Sequence, residues 1–325
     1  LIVALSNQFS ENLNTYTVGF DNNKFDERPY ANIIAKKYNT NHHELVINPN
    51  DIDIEKLIVE FGEPFADSSM IPSYLISKTV SSHQKVVLSG DGGDELFCGN
   101  STYNQAYKFD ELNIKLKKVG FLASLLNIIP IDKVKKMGHL KKNPLFYSGR
   151  ELNRNLGFQK PELDQLFNNQ NVFSIQNIFE SKIEEYSSDH SDIFTNIYRG
   201  GIRTRLLNDY LVKIDKASMF ASLEIRSPFL DDDLFKYVKE LDKKALMPNK
   251  KLKWILKDLA QDILPKEILN KPKTGFEIPI DEWLIGKWKS IFEHEVLSKK
   301  QDLIDLNYDY ILKLWQQQLI GGKHG

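Results

Sequence analysis

The sequence has a single cysteine, Cys98, among its 325 residues. One cysteine excludes an internal disulfide framework and any zinc cluster built on cysteine ligands. A chain without structural disulfides is typical of a reducing compartment, so we expect a cytoplasmic location.

Long apolar runs and an excess of charge are also absent. No run reaches the ~18 apolar residues of a membrane-spanning helix. Lys and Arg number 43 against 44 Asp and Glu, which leaves a net charge of -1. A charge so close to zero gives no electrostatic reason to expect nucleic acid or an anionic membrane as a partner. Any binding of phosphate must therefore depend on local features.

The chain starts with Leu rather than Met, and its first five residues are LIVAL. These residues have no basic flank and no cleavage site, so we do not expect a signal peptide here. They favour a helix, yet no Ser, Thr or Asp stands before them as a cap. We expect the chain to be a fragment that enters this helix partway.

Strands and helices alternate along the first hundred residues. The predicted strands are residues 15–20, 43–47 and 85–88. The predicted helices are residues 27–38, 52–61 and 71–82. This alternation predicts an α/β fold with a parallel sheet flanked by helices. Beyond residue 100 the helical spacing dominates, so we expect an α/β part over residues 1–100 and a mostly helical remainder of the same domain over residues 101–325.

A glycine-rich acidic turn follows the third predicted strand. Residues 88–97, LSGDGGDELF, contain three glycines and three carboxylates. In an open parallel sheet, ligands bind at the carboxyl ends of the strands. Glycines let backbone N–H groups approach a ligand closely, and a serine hydroxyl can donate a hydrogen bond. Carboxylates beside phosphates need a cation between them, which makes Asp94 and Glu95 candidate Mg²⁺ ligands.

A surface turn is the simpler alternative for these residues. Asp94 and Glu95 would then only complement the start of the following helix. An EF-hand loop fits less well, because Asp91 and Asp94 are three positions apart and no Glu falls at the twelfth position. The turn taken alone leaves both the surface turn and the nucleotide site open.

The same turn closely resembles the second nucleotide-site motif of the asparagine synthetase family. Three further blocks resemble that family's motifs in the same order: DSSMIPSYL at residues 67–75, YLVKIDKASM at 210–219 leading into LEIRSPFLD at 223–231, and KPKTGF at 271–276. The chain is thus similar to the synthetase domain of glutamine-hydrolysing members. The resemblance implies a parallel sheet of the ATP pyrophosphatase type, with its nucleotide-binding part in residues 1–100.

The resemblance also implies a function, that of an ATP-dependent amide ligase of asparagine biosynthesis. Such an enzyme activates the side-chain carboxylate of aspartate as an acyl-adenylate, releases pyrophosphate and then accepts ammonia. The implied cofactors are ATP and Mg²⁺. The ammonia would come from a glutaminase domain that this chain lacks. No nucleic-acid or membrane partner is implied, and a homodimer stays open.

Residue roles follow from the positions that match the family's motifs. Val18 and Gly19 would line the adenine pocket, and Ser89 and Gly90 would contact the nucleotide. Asp91 stands where the family has an acidic residue that is needed for the acyl-adenylate step.

Two further roles concern charge. Asp94, together with Glu95, would hold Mg²⁺ and, through it, pyrophosphate. Lys273 is the candidate catalytic cation, since an ammonium group set between Pro272 and Gly275 can stabilise a charged transition state. The alternative is a solvated surface lysine, and only the surrounding block favours the catalytic role.

Several other polar residues have structural alternatives. Glu224 and Arg226 are as readily an ion pair, and Asp231 is as readily a helix cap. His42 and His43 are adjacent in a predicted strand and point to opposite faces, so we expect them to pack or lie at the surface.

The sequence departs from the family pattern in two ways. The family's first phosphate loop, Ser-Gly-Gly-x-Asp-Ser, normally stands directly before the segment that resembles residues 1–5, and it is absent. We therefore expect the fragment alone to bind ATP poorly and to turn over little. In addition, Cys98 replaces a glycine, Asn100 a tyrosine and Glu277 a common glycine, changes that concern the substrate pocket more than the ATP chemistry.

Two other functions remain open at this stage. The ligase could amidate another carboxylate, such as a sugar acid or a peptide, or close a lactam. The chain could also be a non-catalytic nucleotide-binding paralogue.

Overall fold

The structure, a computed structural model, describes residues 1–20, 26–63, 65–119, 160–167, 192–271, 278–298 and 306–321. The chain divides into two compact units. The first unit comprises Leu1–Ser101 and Gly201–Pro279, and the second comprises Thr102–Gly200 and Ile280–Gly325.

The strands of the described residues form two parallel pairs in the first unit. Strand β1 (Asn14–Phe20) pairs with β2 (Asn41–Ile47), and β3 (Val86–Leu88) pairs with β4 (Glu224–Arg226). The three predicted strands and their parallel direction are confirmed. The expected single sheet is instead two separate two-stranded sheets within the described ranges. Strand β4 was not predicted: like β3 it has only three residues, too few to show a period of two, and no glycine-rich turn follows it in the sequence.

The helices of the described residues are, in chain order, α1 (Ile2–Ser6), α2 (Arg28–Tyr38), α3 (Ile54–Phe61), α4 (Met70–Ser81), α5 (Gly93–Leu96), α6 (Ser101–Val119), α7 (Lys160–Leu166), α8 (Ile193–Gly201), α9 (Leu211–Phe220), α10 (Asp232–Lys239), α11 (Lys243–Leu246), α12 (Trp254–Leu259), α13 (Lys266–Leu269), α14 (Ile280–Ile285), α15 (Lys289–Phe292) and α16 (Tyr308–Leu319). Segments Ile202–Tyr210 and Glu293–Ser298 are π-helical, and short 3₁₀ turns occupy Pro49–Asp51, Pro228–Leu230 and Pro248–Lys250. None of these helices has the length and apolar character needed to cross a membrane.

Local signals explain the bounds of the early helices. The side chain of Asp53 caps α3 by accepting a hydrogen bond from the backbone N–H of Lys56 at 3.0 Å. The helix ends where Gly62 adopts a φ of 73°, a left-handed conformation that glycine tolerates without strain. Helices α2, α3 and α4 confirm the three helices that the hydrophobic spacing predicted, with bounds that differ by at most two residues.

Helix α4 packs against both strands of the β1–β2 sheet and against α9. Its burial is not restricted to one stripe, since Met70, Ile71 and Pro72 are consecutive and all buried. The buried hydroxyl of Ser73 donates back to the carbonyl oxygen of Ser69 at 2.8 Å, which satisfies the polar atom without a partner from another element. This bond connects Ser69, the residue before α4, to the first turn of the helix.

The described residues beyond residue 100 are mostly helical, as the sequence predicted, and the division of the chain at residue 100 stays a prediction. The described residues of the second unit contain helices and one isolated antiparallel bridge, between Phe167 and Leu306. Aromatic pairs contribute to its packing. Their ring centroids are 4.5–5.9 Å apart in the pairs Phe292 with Trp315, Trp283 with Trp288, Tyr107 with Phe194, and Tyr103 with Tyr198.

Replacing Asp231 with alanine should lower the free energy of unfolding by about 1 kcal/mol. The Asp231 carboxylate accepts hydrogen bonds from the backbone N–H groups of Asp233 at 3.0 Å and Leu234 at 3.1 Å, which confirms the helix-cap alternative for this residue. Chemical denaturation of the two proteins checks the value. An Asp231→Asn variant, which keeps a capping oxygen, is the control and should retain most of the stability.

Candidate nucleotide site

The glycine-rich turn begins where the β3–β4 pairing ends. The backbone N–H of Ser89 donates to the carbonyl oxygen of Arg226 at 2.9 Å and so extends the ladder by one residue. The N–H of Gly93 then donates to the oxygen of Gly90 at 3.3 Å, and helix α5 follows. The turn therefore lies at the carboxyl end of a parallel strand, as the sequence predicted, which is the edge where ligands bind in such sheets.

The three glycines of the turn have different surroundings. A Cβ atom on Gly92 would strike the side chain of Leu230, and Gly92 also has a φ of 80°. A Cβ atom on Gly93 would lie 3.1 Å from the ring of Phe229. Internal packing thus accounts for these two glycines. A Cβ atom on Gly90 would meet no atom within 4 Å, so no packing contact of this kind requires a glycine there.

The hydroxyl of Ser89, the residue before Gly90, is the second notable feature at this end of the turn. Its oxygen is buried and has no hydrogen-bond partner within the described part of the chain. A buried polar group without a partner is costly, and such groups call for an explanation such as a ligand or an ordered water. Ser89 and Gly90 together offer a hydroxyl and an accessible backbone at one end of the turn.

Asp94 forms an ion pair with Lys253. The two side chains are 18% and 35% exposed, so the pair is shielded from water only in part. Lys253 has a left-handed backbone, with a φ of 52°, and its N–H donates to the oxygen of Cys98 at 3.3 Å. A Cβ atom on Gly99 would strike both the Asp94 carboxylate and the Lys253 side chain, so only glycine leaves room for the pair.

Glu95 has different neighbours from Asp94. Glu95 is buried, and its charge is among the causes that raise the pKa of Tyr210, after burial and together with other nearby charges. Side chains of neighbouring helical residues point about 100° apart, which explains why Asp94 and Glu95 have different neighbours. Within the described ranges, no group of three or more His, Cys, Asp or Glu could hold a metal ion. The structure therefore joins Asp94 to a lysine and not to Glu95, and the metal role of both stays a prediction.

Asp91 is fixed through its backbone. Its carbonyl oxygen accepts a hydrogen bond from the hydroxyl of Ser227, the residue that follows β4. This contact ties the middle of the turn to the neighbouring strand. The contact uses the backbone of Asp91 and not its carboxylate, and the residue is half-buried.

Val18 and Gly19 lie near the end of β1, in the same unit as the turn but on the other sheet. Val18 is buried. A Cβ atom on Gly19 would strike the ion pair between Arg28 Nε and Asp26 Oδ1, whose atoms are 2.8 Å apart. The Arg28 hydrogen bond is the largest cause that lowers the pKa of Asp26, so the carboxylate stays charged. The adenine role of Val18 and Gly19 remains a prediction.

Lys273, the predicted catalytic lysine, lies outside the described residues, and so does Glu277.

Cys98 is another departure from the family pattern, and it lies within the described residues. It is buried and has a φ of 53°, a conformation that glycine, the family residue here, adopts more easily. Burial raises the pKa of its thiol well above the ordinary value, so Cys98 is a structural residue.

Four other polar residues considered above have structural roles. Arg226 Nε and Glu224 Oε1 form an exposed ion pair at 2.7 Å, which confirms the structural alternative for these two. His42 contacts Thr15 through Nδ1 at 2.9 Å, while the His43 ring stacks on Tyr16 with centroids 4.8 Å apart. The two histidines thus pack separately, as expected.

Two lysines were missed by sequence reasoning. Lys213 is buried and donates to Asp67 Oδ2 at 2.8 Å and to Ser69 Oγ at 2.6 Å. Both partners belong to another of the matching blocks, so the order of the blocks was the only signal for this contact. Lys253 lies outside all four blocks, in the lysine-rich stretch KKLKWILK, and nothing local marks it.

The fold and the site define a class of protein: an α/β protein whose parallel strand ends in a glycine-rich, acidic turn with an open backbone position. The chain belongs to the asparagine synthase family, whose family model matches residues 1–324.

Individual relatives are similar over most of the chain. Asparagine synthetase (glutamine-hydrolyzing) 1 of Bacillus subtilis is 29% identical over 319 residues, which cover 96% of this chain and 50% of the relative. A putative asparagine synthetase (glutamine-hydrolyzing) of Mycobacterium tuberculosis is 28% identical over 301 residues, with 87% and 44% covered. Putative asparagine synthetase (glutamine-hydrolyzing) 2 of Methanocaldococcus jannaschii is 28% identical over 243 residues, with 70% and 44% covered. The chain spans about half the length of the curated relatives that it matches.

Proposed function

We propose that this protein is an ATP-dependent amide ligase that converts aspartate to asparagine through an acyl-adenylate, on a fold of the ATP pyrophosphatase type. Membership of the asparagine synthase family supports the reaction class. The observation that carries the proposal is the Ser89–Gly90 end of the turn, where a buried hydroxyl without a described partner adjoins an open backbone position.

The reaction sets clear demands on the site. A carboxylate oxygen of aspartate attacks the α-phosphorus of ATP, an O–P bond forms, and the bond from that phosphorus to the bridging oxygen breaks to release pyrophosphate. The nitrogen of ammonia then attacks the acyl carbon, the C–N bond forms, AMP leaves, and the nitrogen loses a proton. Both steps need aligned reactants and groups that neutralise developing negative charge.

The residues of the turn match the first demand, which is to align the reactants. The Ser89 hydroxyl and the backbone of Gly90 would bind the nucleotide, while Val18 and Gly19 would line the adenine pocket. Asp91, fixed by Ser227 through its backbone, would act in the acyl-adenylate step. These assignments rest on the motifs together with the positions of the residues.

The second demand is to neutralise the developing negative charge. The partly shielded carboxylate of Asp94 fits a hard oxygen-seeking cation, so Asp94 would hold Mg²⁺, with Glu95 nearby in the chain. When bound, Mg²⁺ would neutralise the charge of the pyrophosphate group. Lys273 would stabilise the transition state, a role that rests on the resemblance alone. The ammonia would come from glutamine hydrolysis in another domain, as in relatives that are glutamine-hydrolyzing asparagine synthetases.

Exchange of labelled pyrophosphate into ATP by the full-length protein tests the proposed function. We expect exchange that depends on aspartate and on Mg²⁺, and we expect Lys273→Ala to slow amide formation by about 10²-fold or more. Lys266→Ala, which changes an exposed lysine of α13, is the matched control and should be neutral. Exchange with a sugar acid or a peptide, but not with aspartate, would move the proposal to another substrate. If no carboxylate supports exchange, the protein is not a ligase of this kind.

A further inference from the structure

The start of helix α2 binds the first residue of the KPKTGF block. The carboxylate of Glu27, the residue directly before α2, accepts a hydrogen bond from the ammonium group of Lys271. The same ammonium group lies 4.6 Å from the centroid of the Tyr30 ring, within the range of a cation–π contact. Glu27 and Tyr30 are three positions apart, so both side chains lie on one face of the first turn. Two different interactions therefore hold Lys271 at this end of α2.

The other end of α2 binds the same segment a second time. Lys37 Nζ and Tyr38 Oη each donate to the carbonyl oxygen of Ile263 at 2.5 Å. Helix α13 lies between Ile263 and Lys271 in the chain. The two attachments stand at opposite ends of an 11-residue helix, about 16 Å apart along its axis. One attachment would let the segment pivot, whereas two attachments a helix length apart fix its direction.

The first turn of α2 also contacts the end of β1. Arg28 Nη2 donates to the carbonyl oxygen of Phe20 at 3.4 Å, and Arg28 pairs with Asp26. A Cβ atom on Gly19 would strike this pair, so the pair lies directly against the strand. Asp26 and Arg28 flank Glu27 in the sequence. Three consecutive residues thus contact the predicted adenine-binding edge on one side and the KPKTGF block on the other.

The ion pair between Glu27 and Lys271 contributes little to stability by itself. The two side chains are 42% and 20% exposed, and water screens a pair of this kind. The pair nevertheless joins residues 244 positions apart. Only one residue separates Lys271 from Lys273, the predicted catalytic cation, so a shift of Lys271 changes the point from which the segment with Lys273 starts. A contact with little effect on stability can therefore have a large effect on the alignment of a catalytic group.

We propose that Glu27 and Lys271 are positioning residues of the ligase: their contact fixes the start of the segment that carries Lys273 relative to the end of β1. This inference rests on the proposed function, because it takes Lys273 as the catalytic cation. It adds a carboxylate, Glu27, that belongs to none of the four blocks and that acts through Lys271 and not on a substrate.

The first experiment measures aspartate-dependent exchange of pyrophosphate into ATP by the full-length protein. Glu27→Gln removes the charge of the contact, so kcat should fall about tenfold, a part of the ~10²-fold effect of an ångström-sized misplacement. KM for ATP and the melting temperature should change little, since Glu27 contacts no substrate and its ion pair is partly exposed. Lys271→Met breaks the contact from the other side and should give the same loss, which keeps the test decisive if Glu27→Gln does not fold. Lys271→Arg keeps the cation and should retain most of the activity.

Glu63→Gln is the matched control. Glu63 pairs with Lys216 Nζ at 2.6 Å across 153 positions, and the two side chains are 55% and 27% exposed. This variant loses the same kind of long-range, partly exposed ion pair in the same unit, so kcat should stay at the wild-type value.

A double-mutant cycle with Lys273→Ala separates positioning from a general structural role. If Glu27 acts by placing Lys273, Glu27→Gln should have no further effect on kcat once Lys273 is alanine. A structural role would slow exchange by the same factor in both backgrounds, because independent effects add in free energy.

The outcomes distinguish the two proposals. A loss of kcat in Glu27→Gln and in Lys271→Met that disappears in the Lys273→Ala background supports the positioning role. Normal kcat in folded variants, or an equal loss in both backgrounds, overturns that role and leaves the proposed function standing. If the wild-type protein catalyses no exchange with any carboxylate, the proposed function itself fails.

Discussion

Replacing Lys213 with methionine should lower the free energy of unfolding by about 3 kcal/mol, the cost of breaking one buried ion pair. Lys213 is buried and donates to Asp67 Oδ2 at 2.8 Å and Ser69 Oγ at 2.6 Å. Methionine keeps most of the apolar stem but leaves the Asp67 carboxylate without its cation. Urea denaturation should show a lower midpoint with an unchanged slope.

Lys216→Met is the matched control on the same helix. Lys216 pairs with Glu63 Oε1 at 2.6 Å, but the two side chains are 27% and 55% exposed. Water screens such a pair, so its loss should cost about 1 kcal/mol or less. Equal losses for the two variants would show that burial of the Lys213 pair adds nothing to stability.

Acid should remove the difference in the free energy of unfolding between the wild type and Lys213→Met. Burial raises the pKa of Asp67, but the charge of Lys213 and the hydrogen bonds from Lys213 and Ser69 outweigh it, and the net pKa lies below the ordinary value. A carboxylate with a lowered pKa stabilises the fold fully above its unfolded-state pKa and loses this effect as the pH falls through the folded-state pKa. The pKa of Asp209 is raised by burial and then by the charge of Asp67. The contribution of Asp209 to stability therefore increases as the pH falls, opposite to that of Asp67.

Replacing Gly90 with valine should abolish most of the activity while leaving the fold intact. No atom lies within 4 Å of a Cβ at this position, so the free energy of unfolding should change by no more than about 0.5 kcal/mol. A side chain there would separate the backbone from a bound nucleotide. We expect kcat/KM for aspartate-dependent exchange to fall by about 10²-fold, the scale of an ångström-sized misplacement.

Gly93→Val separates the two roles of glycine in this turn. A Cβ on Gly93 would lie 3.1 Å from the Phe229 ring, so this variant should lose about 1–3 kcal/mol of stability through overpacking. Denaturation curves and exchange rates measured on both variants give the comparison. A stable Gly90→Val protein with normal exchange would show that no ligand approaches the backbone at residue 90.

Residue order alone predicted the parts of this molecule that depend on neighbours in sequence. Helices α2, α3 and α4 follow from apolar spacing, and β1 from a run of β-favouring residues that ends before the polar residues 21–23. The turn after β3 was found because glycines and carboxylates cluster within a few residues. The four ordered blocks then indicated the family, which the match over residues 1–324 confirmed.

Other features required the folded chain, because they join residues that are far apart in sequence. Lys213 and Asp67 are 146 positions apart, and no local pattern shows that they meet. The same is true of Lys253 and Asp94, and of Leu230 and Phe229 beneath Gly92 and Gly93. Periodicity reports which face of an element is apolar, whereas the partner of a charge and the space beside a glycine depend on how the elements pack. For this reason the order of the matching blocks predicted a nucleotide site at residues 89–95, and only tertiary contacts distinguished the open glycine of this turn from its packed ones and placed a lysine on Asp94.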